Sequence, residues 1–211
     1  MKRSGFDIMS KWEYVWYILL HPSDGFQEMK YHNKGSIPIV CSILFLFFLE
    51  EAYRKLGTSF DFNSYSPESA SLIMLVFTTI ILFLIVVISN WCFCTLLDGK
   101  GSFKNICVVS AYALIPYILI SFVVVTLTKF LTLNEGGFLK YITILSGIWS
   151  FFIAFCGLKT IHEYSFKKTI LSVILTFFGT LIILFISFLI VMLFQQLFIF
   201  INTIWIEVSR R

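Results

Sequence analysis

Residues 71–97 read SLIMLVFTTIILFLIVVISNWCFCTLL and contain no charged side chain. A bilayer core of ~30 Å is crossed by about 20 consecutive apolar residues in a helix. This stretch therefore reads as a membrane span, and the rest of the chain follows from it. Upstream, Ser36–Tyr53 is a weaker span whose apolar part ends at Leu49. Downstream, Asn105–Thr128 and Tyr141–Leu158 each supply one more. The last run is different, because no charge occurs from Thr169 to Ile206. At 1.5 Å per residue it is about 57 Å long, roughly twice the hydrocarbon thickness. A spanning helix over 169–193 is expected, followed by an interfacial or projecting segment over 194–211. Neither Pro nor Gly marks a turn there, so a hairpin making six spans is the weaker alternative.

Composition agrees with this reading. Of 211 residues, 58% are hydrophobic and 13% charged, against roughly 45–50% and about 25% in soluble domains. The expected fold class is all-α: a polytopic helical bundle of about five transmembrane helices, with residues 1–35 as a cytoplasmic N-terminal segment. The net charge of +4 is modest, and the basic residues cluster at the ends of apolar runs. They report topology rather than a nucleic-acid surface. With the N-terminus inside, ten Lys and Arg fall on the cytoplasmic side and six outside, by count along the sequence. The positive-inside rule then puts the C-terminus outside.

The N-terminal segment lacks the layout of a signal peptide, since Trp12, Glu13 and His21 interrupt any apolar core. Ile8, Trp12, Val15, Trp16 and Leu19 instead follow helical spacing on one face, with Ser10, Glu13, Tyr14 and Tyr17 opposite. An aromatic-rich amphipathic helix of this kind lies in a membrane interface or against a partner. Pro22 ends it, and Ser23 or Asp24 can cap a second short helix.

Chemistry-bearing motifs are sparse. Cys41, Cys92, Cys94, Cys107 and Cys156 all lie in apolar stretches and form no CxxC or Cys/His cluster with zinc spacing. Gly99–Lys100–Gly101–Ser102 superficially resembles a phosphate loop, but lacks the longer glycine-rich loop that follows a strand. It reads as a tight turn between helices. His162 and Glu163 are adjacent, and neighbours on a helix do not face each other. The acids Glu50 and Glu51 precede Arg54 and Lys55 by four residues, the favourable order for helical ion pairs. They read as a charged helix end at the interface, the sharper alternative being a polar group facing the bundle interior. No catalytic residue, cofactor or metal is expected.

Gly99-x-Gly101-x-Phe103, followed by Tyr112 and Pro116 in an apolar helix, resembles the Yip domain family of small polytopic membrane proteins. Pro22-x-x-x-Phe26 resembles that family's juxtamembrane entry segment. Trp149, Gly157 and His162 resemble its fourth span and the loop beyond. The short N-terminal segment is closest to the bacterial branch. The resemblance implies five spans and a cytoplasmic N-terminus. Eukaryotic relatives are associated with Rab-type GTPases and vesicle trafficking, and some bacterial ones accompany ABC-type exporters that protect against peptide toxins.

The functional expectation is a non-enzymatic accessory or scaffold protein that sits in the bilayer and binds another integral membrane protein, an ABC exporter among the candidates, or itself. The alternative is a small oligomeric transporter or channel lined by Asn90, Gln195 and Gln196 or by Glu50 and Glu51.

Overall fold

The computed structural model describes residues 11–32, 35–62 and 71–210. Ile8 and Ser10, assigned above to the two faces of the first helix, lie outside the described residues. Every regular element among the described residues is helical. Two short helices, α1 (Lys11–Leu20) and α2 (Pro22–His32), precede α3 (Ile37–Gly57) and α4 (Leu72–Leu96). Then come α5 (Phe103–Ala113), α6 (Ile115–Leu127), α7 (Gly136–His162) and α8 (Phe166–Ser209). Among the described residues, four segments are long and apolar enough to cross a membrane: α4, the combined α5–α6 stretch, α7 and α8. Helix α3, with 21 residues, runs through the same bundle and carries its four charges in the last two turns.

The turn after α4 and the turn after α7 lie beside α2, so these form one end of the bundle, called here the near end. Residues 58–62 and 128–136 meet at the far end, where the Ser59 N–H donates to Thr128 Oγ1 at 3.2 Å.

Pro116 explains why α5 and α6 are separate. Proline has no N–H and clashes with the preceding turn, and the chain bends at Leu114. The N–H of Tyr117, freed by this break, donates to Ser150 Oγ on α7 at 3.2 Å. A neighbouring helix thus satisfies the interrupted backbone, as a kink in a membrane requires.

The core is concentrated at the near end. Ile18, Phe26, Met29, Ile43, Ile106, Val108, Tyr112, Ile153 and Ile161 are all essentially inaccessible and form one cluster. Helices α1 and α2 are therefore built into the bundle. The amphipathic α1 buries a stripe turned from the one its spacing suggested: Val15 and Leu19 of that face are buried, but with Tyr14 and Ile18, while Trp16 is 56% exposed. Tyr14 can turn inward because its hydroxyl donates to the Gly25 carbonyl at 2.5 Å. The ring then adds apolar area to the core without leaving a polar atom unpaired.

Helix α4 packs chiefly on α8. Ser89 Oγ donates to the Thr176 carbonyl and Asn90 Nδ2 to Thr176 Oγ1, both at 2.9 Å, and Cys94 Sγ lies 3.1 Å from Ser172 Oγ. Small residues let membrane helices approach closely and exchange such bonds. Helix α8 continues unbroken through Gln195 and Gln196 to Ser209. The pairing of Cys94 with Ser172 and Asn90 with Thr176 sets an antiparallel register that places Leu72 level with about residue 194. The remaining turns overhang the far end of α4 by about 22 Å.

Candidate functional site

Most of the residues singled out in the sequence converge at the near end. Two spans finish there on left-handed, non-glycine residues, Asp98 and Glu163, each with φ of 56°. Such residues are uncommon outside glycine and end helices by redirecting the chain. The Gly99 N–H then bonds back to the Cys94 carbonyl at 2.7 Å, and the Tyr164 N–H to the Lys159 carbonyl at 3.1 Å.

Gly99 and Gly101 are required for space rather than for turn geometry, since no described glycine has positive φ. A Cβ on Gly101 would stand 2.7 Å from His162 Cε1, and one on Gly99 would stand 2.5 Å from the Tyr164 hydroxyl. The His162 ring fills this cradle at 2% exposure. Its Nδ1 accepts the Gly101 N–H at 3.3 Å, which puts the proton of the neutral ring on Nε2. Tyr164 stacks on the imidazole with centroids 5.1 Å apart and donates to the Cys94 carbonyl at 3.0 Å.

Glu163 points the other way. Its carboxylate meets Lys30 of α2 and Lys100 of the α4–α5 turn, each at 2.7 Å. Hydrogen bonds from Lys100 and then Lys30 hold the carboxyl down at about 2, and Glu163 in turn raises Lys100. Three segments distant in sequence are thereby tied across one carboxylate.

Phe26 and Gly157 form the second half of this junction. Phe26 is fully buried, and a Cβ on Gly157 would lie 2.9 Å from its ring and 2.5 Å from Val109 Cγ1. Pro22 begins the helix that delivers Phe26, and Tyr112 lies in the same core. Other residues fall elsewhere. Phe103 packs edge-on against Trp91 at 6.0 Å, and Trp149 sits on the outer face of α7 at 48% exposure. Pro116 marks the kink. Trp12 falls in α1, but its side chain lies outside the described residues.

The sequence placed Glu50 at a charged interface, and the structure corrects this. Glu50 is fully buried, accepts a hydrogen bond from Ser121 of α6 and leaves Oε2 without a partner. Arg54 lies 3.8 Å from Glu50 and 2.5 Å from Glu51, so one guanidinium serves both acids. Ser121 was not legible as a partner, because a serine in an apolar run carries no sign of what lies opposite.

The near-end junction binds three segments together. His162 faces inward and Glu163 outward, so they do not act as a pair. Among the described residues, no group of three or more His, Cys, Asp or Glu is placed to hold a metal. Asn90 spends its amide on Thr176, while Gln195 and Gln196 are exposed on the overhang of α8. Of the polar residues named for a channel, Asn90 and Glu51 line one cavity among the helices, and the two glutamines lie apart from it.

No curated protein and no solved structure matches the chain. The family model of the Yip1 domain matches residues 16–189, from α1 into α8, covering the glycine cradle, the Phe26–Gly157 contact and the kink at Pro116. The chain belongs to the Yip1 domain family of membrane proteins.

Proposed function

We propose that this protein is a non-enzymatic accessory or scaffold component of a membrane, and that it holds another integral membrane protein against α8. One observation carries this reading: of the 44 residues in α8, only Thr169, Ser172 and Gly179 are buried. The rest of the helix offers an apolar surface running past the end of its own bundle. It also carries Gln195, Gln196 and Asn202, all exposed. Gln195 and Asn202 are seven residues apart and share a face. In a bilayer, such amides are the groups that bond across helices. An ABC-type exporter is the first class of partner to test, with self-association as the other form of the same contact. The near end, with Trp16 exposed on α1, faces the cytoplasm in this reading.

The test is mild solubilisation of the tagged chain from its native membrane, followed by identification of what co-purifies. A Gln195→Leu/Gln196→Leu/Asn202→Leu variant keeps α8 apolar, and a Trp12→Ala/Trp16→Ala variant probes α1. Stoichiometric recovery of a membrane complex, lost in the α8 variant, is the expected result. Recovery of a lone monomer from the unaltered chain would sink the proposal.

A further inference from the structure

Helix α4 leans on α8, α3 and α5 rather than on α7. The gap this leaves forms a half-open cavity of about 640 Å³ among α3, α4, α5, α7 and α8, within the roughly 300–1,000 Å³ typical of ligand sites. Its walls are largely hydrocarbon, from Leu82, Phe83 and Val86 on α4 and Phe151 and Ala154 on α7. At one end stand Glu51, Arg54 and Lys55 from the last turns of α3. The same Arg54 and Lys55 also border a second cavity of about 270 Å³, with Lys140 of α7 and the hydroxyls of Thr58, Ser121 and Thr128.

The two cavities share Arg54 and Lys55, so together three bases and one acid line them, and the buried Glu50 stands 3.8 Å from Arg54. Arg54 uses one terminal nitrogen on Glu51, and a guanidinium has five N–H donors. Donors therefore remain for a planar or tetrahedral oxyanion. Asn90, Ser110, Ser150 and Thr176 add polar atoms to the wall of this chamber. Its hydrocarbon stretches, however, offer water none of the two to four polar partners it needs, and left bare they forfeit their contacts. In a bilayer the molecule at hand with a long hydrocarbon part and an anionic head is a lipid.

We propose that the chamber holds an acyl chain of one anionic phospholipid from the surrounding bilayer, with its phosphate bound at Arg54 and Lys55. The site is a cleft between helices of the bundle and is independent of any partner on α8. Lipid occupancy then props α4 away from α7 and couples the anionic-lipid content of the membrane to the spacing of these helices.

The experiment uses the full chain, delipidated in mild detergent and reconstituted into nanodiscs of phosphatidylcholine with increasing phosphatidylglycerol. Native mass spectrometry counts the lipids retained per chain, and thermal melts follow stability. The unaltered protein is expected to retain one phosphatidylglycerol and to melt higher as that lipid increases. Ala154→Phe, which fills the chamber, and Lys55→Gln, which weakens the head site without altering the apolar wall, should each reduce retention at least tenfold. Leu145→Phe, on the outer face of α7, should leave retention unchanged. Three outcomes overturn the proposal: no retained lipid, equal retention of phosphatidylcholine, or retention in Ala154→Phe matching the unaltered chain. The last would mean lipid on the outer surface only. Lys55→Gln decides the matter should Ala154→Phe fail to fold.

Discussion

Gly157 and Gly147 lie on the same helix and look alike in sequence, yet their surroundings differ. A Cβ at Gly147 would meet nothing within 4 Å, whereas at Gly157 it would collide with Val109 and Phe26. Gly157→Ala should therefore destabilise the protein by about 1–3 kcal/mol through overpacking. Gly147→Ala should stabilise it by up to ~1 kcal/mol, as replacing glycine inside a helix does. Fluorescence-detected melts in detergent separate the two. Glu163 gives a second residue-scale prediction. Its carboxyl is held below its ordinary 4.5, at about 2, by Lys100 and Lys30. A group with a depressed folded value contributes stability above its unfolded value and loses it as pH falls through the folded one. The contribution of the Lys30–Glu163–Lys100 tie should thus be complete above pH 4.5 and disappear as pH falls towards 2. Acid melts of Glu163→Gln should lose this part of the pH dependence; a curve matching the unaltered chain would show that the tie does not form.

At the scale of elements, two features rest on local contacts between helices. The kink between α5 and α6 depends on Ser150 accepting the Tyr117 N–H. Buried hydrogen bonds between membrane helices average about 0.6 kcal/mol, so Ser150→Ala should cost about that much, read from the same melts. Helix α8 divides more sharply. A Cβ on Gly179 would collide with Phe93 and Ser89 of α4, so Gly179→Leu should separate α8 from α4 and lower the melting temperature. Among the described residues, ending the chain after Leu193 removes only exposed side chains. That truncation should leave the melt unchanged while abolishing co-purification of the partner. A truncation that unfolds the bundle would show that the overhang has a structural role instead.

At the scale of the whole molecule, the two ends make topology testable. Ser165 lies in the near-end turn, and Ser59 lies at the far end beside Thr128. In a cysteine-free background, Ser165→Cys should react with a membrane-impermeant maleimide only from the cytoplasmic side, and Ser59→Cys only from the opposite one. The reverse pattern would invert the proposed orientation. Helical class and membrane residence were legible in the sequence because hydropathy belongs to each local run, and a run such as 71–97 needs no knowledge of its neighbours. The site was legible only in part. The sequence singled out Gly99, Gly101 and His162 but not their mutual contact, which joins positions 61 residues apart. It offered no sign that Glu163 meets Lys30 across 133 residues, or that Glu50 meets Ser121 across 71. Which face of α1 is buried, which way Glu50 points and where α4 parts from α7 were decided by tertiary structure. Burial depends on what stands opposite a side chain, and in a helical bundle that neighbour is set by packing rather than by position along the chain.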